Sequence, residues 1–474
     1  MKLSKKQTIF IIAFAVIFIS LYVYFYPPMY TVMDEASYFD FAYNLKSGKI
    51  IYENPAQAHF ILKMVKGYVN QYPIGMPLLL LPFTFIGWKS LFLLNPLLHI
   101  LAYMFFYKLL KKYNISPYLA LLYLFYPGFL IYARTLMPDM ACASFITIAF
   151  YFYLKNSKKS LFIAGILLGY LCLIKYTNVI IAGILLAASL YFSIKDKNLK
   201  VLNLLYGMAP FFIFIAWYNY NYYGAITASP YFSAGMKFAM AHIGKNITIY
   251  LMSLLFIYPF MLITLFLPGK NNPGKTSAAL TAPVFLVLIS LHYFHQGVGI
   301  VHCPGVKNAI QYLIMSQRLI LPIIPFFLLC YTVAISGLLK RKSFKIFVFI
   351  LIAAVFTGSI YTSHVHQEYL SENNEVRVAL VNNTADKSYI ICDNEANKFI
   401  QKAWGARQYI DIFSARAAEY AKTQDRYIFI FERKDKPENA ALATKRAEKI
   451  LRALPHKLIY EKSGFLSVKI YKIV

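Results

Sequence analysis

The sequence predicts an α-helical polytopic membrane protein carrying a C-terminal α/β domain. Three observations carry that class. The 474-residue chain is 59% hydrophobic and only 14% charged, whereas soluble domains sit near 25% charged. Apolar stretches of about 18–20 residues, each long enough to cross a bilayer, recur along the first three quarters. Beyond residue 361 the pattern changes to short strand-like and helix-like segments rich in charge.

The apolar runs fall near 9–26, 90–110, 117–133, 139–154, 160–174, 177–194, 200–219, 247–267, 279–294, 318–338 and 344–361. About eleven transmembrane helices are therefore expected. The first run is too long for a cleaved signal peptide and lacks a small-residue cleavage site. The segment 74–87, IGMPLLLLPFTFIG, is short and carries Pro77 and Pro82. An interfacial or re-entrant helix is expected there, tolerated where protein covers its backbone.

A net charge of +28 would suit nucleic acid, but its distribution argues against that partner. The clusters are Lys2/Lys5/Lys6, Lys108/Lys111/Lys112, Lys155/Lys158/Lys159, Lys195/Lys197/Lys200, Lys270/Lys275 and Lys340/Arg341/Lys342/Lys345. Apart from the first, which precedes the first run, each fills a short gap between apolar runs. They read as topology signals on the cytoplasmic face of a lipid bilayer. The expected division is 1–361 as the membrane domain, 28–73 as its first external loop with interfacial helices, and 362–474 as a soluble extracytoplasmic domain. Loops 220–246 and 295–317 face the same outer side. In the tail, SYIICD and RYIFIFER read as strands, NEANKFIQKAWG and NAALATKRAEKILRAL as helices, and HKLIYEKSGFLSVKIYKI as a hairpin.

The acids are distributed unevenly. Fourteen of the twenty Asp and Glu lie in the tail, leaving Asp34, Glu35, Asp40, Glu53, Asp139 and Asp196 for all the rest. Asp196 sits in a cytoplasmic Lys-Asp-Lys turn. The other five map to the outer face, and carboxylates near a membrane are costly enough to mark function. From Asp34 to Lys46, the spacing of Ala36, Phe39, Ala42, Tyr43 and Leu45 predicts an amphipathic helix lying on the membrane surface. Asp34 and Glu35 fall at its amino end, where the helix dipole favours negative charge. N-capping is the alternative use for one of them.

The stretch MDEASYFDFAYNLKSGK resembles the first external loop of GT-C glycosyltransferases. The nearest groups are the protein O-mannosyltransferases and the lipid A aminoarabinose transferases. Further resemblances follow in family order: NQYPIGMPLLLLPFTFIG, ARTLMPDMACASF, GYLCLIKYTN, WYNYNYYGAITASPYFSAG and SQRLILPIIPFF. Ile74 stands where that family's first-loop motif has a second proline. The resemblance implies an inverting transfer of sugar from a polyprenyl-phosphate-linked donor to a lipid, glycan or protein acceptor. It assigns Asp34 as the base, with Glu35 and Asp139 as supporting acids. It makes Arg318 and Lys175, then Arg134 and Lys63, the cations for the donor phosphate. Tyr72, Asn219, Tyr220 and Asn221 are assigned to substrate, with an interfacial aromatic belt the alternative for the tyrosines. Snorkelling at a span end is the alternative for Arg318.

No cofactor is expected. A divalent metal is the alternative, with His292, His295 and His302 as its histidines, although no acid or Cys pair lies near them in sequence. Cys142, Cys172 and Cys330 fall in apolar runs, and Cys303 and Cys392 define no framework. An oligosaccharide ligase, an oligosaccharyltransferase-like enzyme, and a transporter or lipid flippase are the other readings. The scarcity of charge in mid-span disfavours transport. The expected setting is the plasma membrane, with active site and C-terminus extracytoplasmic.

This topology has a direct test. Single cysteines placed by Ser47→Cys and Lys387→Cys should both react with an impermeant maleimide in intact cells. Reaction only after lysis would reverse the orientation.

Overall fold

In a computed structural model of the chain, the described residues are 5–52, 61–64, 66–228, 243–258, 281–287, 313, 316–339, 342–393, 396–404, 407–414, 417, 426–433, 437–463 and 466–474. Glu53, His292, His295, His302, Cys303, the turn residue Gly464, and parts of the runs 247–267 and 279–294 lie outside them. So does most of the expected loop 295–317.

Helices dominate. They are α1 (Lys5–Tyr24), α2 (Met33–Lys46), α3 (Gly75–Thr84), α4 (Leu94–Lys112), α5 (Leu121–Leu124), α6 (Pro127–Ala133) and α7 (Pro138–Lys155). Then follow α8 (Lys158–Ile174), α9 (Val179–Lys195), α10 (Val201–Tyr223), α11 (Ile243–Ile257), α12 (Ile324–Leu338), α13 (Lys342–Asn383) and α14 (Pro437–Ala453). Among the described residues five helical segments are long and apolar enough to cross a bilayer, or six if α6 and α7 form one bent span. The difference from eleven has physical causes. The run 117–133 is broken by proline: Tyr126, before Pro127, is extended (φ −61°, ψ 123°), as a residue preceding proline prefers. Helix α8 has 17 residues, and two further runs are only partly described. Pro138 makes a second break, where the α6–α7 pair bends by 120°.

Helix α3 spans ten residues with Pro82 inside it, too short to cross. Its first residue lies against the last turn of α8. A Cβ on Gly75 would meet the Leu173 carbonyl and the Ile174 nitrogen at 2.5 Å, so the close approach needs glycine. The Tyr170 hydroxyl donates to the Gly75 carbonyl at 3.0 Å and closes the same contact.

Helix α2 departs from the expected surface helix. Ala36, Ser37, Tyr38, Phe39, Asp40, Phe41, Ala42 and Asn44 are all buried, on every side of the helix. It has no wet face because protein covers it. Asn70 ties Ser37 to a small antiparallel sheet of β1 (Ile51–Tyr52), β2 (Ile61–Met64) and β3 (Gly67–Asn70), ordered β1-β3-β2. Lys46 at the end of α2 donates to the Thr84 carbonyl at the end of α3 at 2.9 Å.

Helix α13 has 42 residues, roughly 60 Å at 1.5 Å per residue. A bilayer core takes about 30 Å of that, so α13 continues beyond residue 361 as a post under the tail. The tail is a five-stranded sheet of order β5-β4-β6-β8-β7. Strands β4 (Tyr389–Cys392), β5 (Gln408–Asp411) and β6 (Arg426–Arg433) run parallel, and β7 (His456–Lys462) and β8 (Leu466–Ile473) complete it antiparallel. Side chains alternate across it. Ile391, Ile428 and Ile430 pack with Ala443, Ala447 and Ile450 of α14. Ile390, Phe429, Phe431, Val468 and Ile470 join the core that extends into the membrane helices. Residues 394–405, expected as one helix, instead hold two 3-10 turns at Ala396–Phe399 and Lys402–Trp404. The strand β5 was not expected, because QYID is too short to show a period.

Candidate active site

Four charged side chains from four separated segments meet in one chain of contacts. Arg318 donates from Nη2 to Asp34 Oδ2 at 2.5 Å and from Nε to Asp139 Oδ2 at 3.4 Å. Lys175 Nζ donates to Asp139 Oδ1 at 2.7 Å. The order is Asp34, Arg318, Asp139, Lys175, with signs alternating and summing to zero. Exposure falls from Asp34 to Asp139: the Asp34 and Arg318 side chains are 20% and 17% exposed and Asp139 is fully buried, while Lys175 at the far end is 9% exposed.

Each member sits at a helix end or a break. Asp34 is in the first turn of α2 and Asp139 in the first turn of α7, where the dipole favours an acid. Lys175 follows α8 with extended backbone, before a 3-10 turn that leads into α9. Arg318 lies on a 3-10 segment, Ser316–Ile323, that precedes α12. Its neighbour Gln317 accepts from the Tyr126 hydroxyl at 2.6 Å, fixing this segment on the α5–α6 break.

Glu35 takes a different direction from Asp34, as adjacent residues on a helix must, about 100° apart. Its Oε1 accepts the Thr31 backbone N–H at 3.1 Å and the Thr31 hydroxyl at 3.0 Å. Its Oε2 accepts the Leu136 N–H at 2.8 Å. Neither acid is itself the N-cap, which is Val32; Glu35 reaches back over the start of its own helix to Thr31, ahead of that residue. It also fixes the α6–α7 bend three residues before Asp139. Burial pushes its carboxyl from 4.5 up to about 7, against the pull of its N–H and O–H donors.

The other expected site residues lie elsewhere. Arg134 is 1% exposed and spends its guanidinium on the Phe25 and Ser363 carbonyls at 2.8 Å, on Gln367, and on His366. It joins α1, the α6–α7 bend and α13. Lys63 is exposed on β2. Tyr72 is buried against Tyr38, their ring centres 4.8 Å apart. Asn219 accepts from the Tyr176 hydroxyl and donates to the Ile226 carbonyl, while Asn221 accepts from Lys66. Tyr220 is exposed. Among the described residues no group of three or more His, Cys, Asp or Glu converges as a metal site would require. Sequence reasoning passed over Thr31, which bonds Glu35, Asn70, which ties α2 to β3, and Gln317, which fixes the segment of Arg318. As uncharged polar residues outside any motif, they gave no signal.

No protein-family profile matches the chain, and no curated protein sequence does. Solved structures do match in fold, and the fold is the GT-C type. The chain is similar to ArnT, the lipid A aminoarabinose transferase, from Cupriavidus metallidurans. In its complex with undecaprenyl phosphate the TM-score is 0.64 at 9% identity, with 100% of this chain and 99% of that chain covered. In its apo state the TM-score is 0.59 at 10% identity, with 98% of each chain covered. An oligosaccharyltransferase from Archaeoglobus fulgidus aligns at a TM-score of 0.45 and 12% identity, over 98% of this chain and 74% of that one.

The Glu35 carboxyl gives a pH prediction. Between pH 4.5 and about 7 the folded chain keeps its proton while the unfolded chain releases it. Stability from this group is full below pH 4.5 and is lost as pH rises through about 7. Glu35→Gln, neutral throughout, should flatten that part of the melting-temperature profile in detergent. An unchanged slope would show that Glu35 ionises at its ordinary value.

Proposed function

We propose that the chain is a multi-pass membrane glycosyltransferase that moves a sugar from a polyprenyl-phosphate donor to a hydroxyl or similar nucleophile of a lipid, glycan or protein acceptor. We place the site and the tail on the outer face of the plasma membrane. The observation that carries the reading is the alternating chain Asp34, Arg318, Asp139 and Lys175 at the helix ends of a GT-C fold.

The chemistry divides between its two signs. The acceptor oxygen attacks the anomeric carbon from the face opposite the phosphate, and the carbon–oxygen bond to phosphate breaks with inversion. The acceptor proton passes to the Asp34 carboxylate, the more exposed acid of the chain. The released polyprenyl phosphate takes the bonding electrons, and Arg318 and Lys175 stabilise its growing charge. Asp139, bonded to both cations, holds them at the right separation. Arg318 already binds Asp34, so a donor phosphate competes for the same guanidinium. Capture of the phosphate loosens Arg318 from Asp34 and frees that carboxylate to meet the acceptor hydroxyl. Donor binding and the release of Asp34 from Arg318 are thereby one event. In this reading Arg134 and Lys63 stand outside the phosphate site.

Two variants test it. Asp34→Asn keeps the shape of the side chain and should bind undecaprenyl phosphate normally while transferring roughly 100-fold more slowly, the scale of a lost general base. Normal single-turnover transfer by Asp34→Asn would remove it as the base. Arg318→Ala should weaken undecaprenyl phosphate binding and slow transfer together. Arg318→Lys should recover little, because a point charge cannot span two acids and a phosphate as a planar fork does. Unchanged lipid phosphate binding in Arg318→Ala would leave Arg318 as a residue of structure only.

A further inference from the structure

The tail touches the entry of α2 at a lysine. Lys398, in the first 3-10 turn of the tail, is 3% exposed. Its ammonium donates to the Thr31 carbonyl at 2.9 Å and lies 5.0 Å from the Phe399 ring centre and 5.4 Å from that of Phe431. The Tyr30 hydroxyl returns the contact, donating to the Lys398 carbonyl at 2.6 Å. Trp404, in the second turn, stacks on Tyr30 at 5.9 Å and meets Phe39 of α2 at 6.1 Å. Arg377 of α13 lies 5.3 Å from Trp88 and 5.2 Å from Trp404, filling the space behind them.

The bonded carbonyl belongs to the peptide that links Thr31 to Val32, and the Val32 N–H at its other end faces the Glu35 carboxylate. A buried cation on a carbonyl polarises the peptide and strengthens the N–H as a donor. The series therefore runs from Lys398 through the 31–32 peptide to Glu35, and from Glu35 Oε2 to the Leu136 N–H at the α6–α7 bend. Its far end is three residues from Asp139. The first turn of α2, which carries Asp34, is held between the two.

We infer that Lys398 is a positioning residue for the transfer reaction: the C-terminal domain sets the aim of Asp34 by holding the Thr31 carbonyl at the entry of α2. This rests on the proposed role of Asp34 as base. Misplacing a reacting group by about 1 Å can cost up to about 100-fold in rate without touching the binding of the rest of the substrate. Lys398 has no part in holding the phosphate, so its loss should fall on kcat and spare donor affinity.

The experiment uses the full chain in lipid nanodiscs, with undecaprenyl phosphate as binding probe and a panel of undecaprenyl-phosphate hexoses and pentoses as donors. Lys398→Met keeps the apolar stem and removes the donor group. Its kcat should fall about tenfold, with donor KM and undecaprenyl phosphate affinity within about twofold of wild type. Lys398→Arg restores a cationic donor able to lie over the same rings and should recover most of the rate. Lys398→Gln, an uncharged donor for use if Lys398→Met does not accumulate, should fall between them. Wild-type kcat in Lys398→Met or Lys398→Gln, a parallel loss of lipid phosphate affinity, or no recovery in Lys398→Arg would each overturn the inference. Asp34→Asn, run alongside, separates the two claims. If it is slow while Lys398→Met is normal, this inference alone fails; if it is normal, the proposed function fails and the inference with it.

Discussion

The organisation of the candidate site depends on neutralising charge where water is scarce. An isolated ionised group in an apolar setting costs several kcal/mol after relaxation. Asp139 has no exposure at all, and it survives there because Lys175 and Arg318 each donate to one of its oxygens. Arg318 in turn needs the second acid, and Asp34 supplies it. Removing Arg318 takes from Asp34 its ion-pair partner, and removing Asp139 does the same to Lys175. The four segments that carry these residues are thus bound to one another more firmly than their apolar contacts alone require.

The same demand explains why the surrounding helices are short or broken. A charge can stand at a helix end in reach of another segment, but not easily along a lipid-facing helix wall. Prolines at 127, 138 and 322 put helix ends or 3-10 turns near the site. Gly75 brings α3 onto the backbone of α8 just before Lys175. Arg134 then fastens the α6–α7 bend to α1 and α13 through backbone carbonyls. A guanidinium with its donors spent in this way is a structural tie, although its place in the sequence also offered it as a phosphate ligand after Arg318 and Lys175.

Adjacent acids acquire different work from this geometry. Asp34 faces the shared arginine and retains some exposure. Glu35 turns inward to two backbone elements and is fully buried. One residue can exchange partners with a substrate, while the other holds the framework against which that exchange happens. The tail adds a third layer by enclosing Tyr30 and Thr31, so the helix with the exposed acid is set from both ends of the chain.

The sequence by itself determined the membrane class, the helical runs and most strands of the tail, because apolar length and strand alternation are local properties. It also marked Asp34, Glu35, Asp139, Lys175 and Arg318, since charge is rare in an apolar chain and stands out there. It misjudged α2 as a surface helix, because burial on all sides depends on neighbours from residues 70, 84 and 404. It kept Arg134 as a second-rank phosphate ligand behind Arg318, because a side chain's partners are not written beside it. Lys398 was lost among the many charges of the tail. Only the tertiary structure decided which cation meets which acid, which acid turns inward, and where the tail holds the first loop. Those are contacts between residues up to 368 positions apart, and no local pattern encodes a partner at that distance.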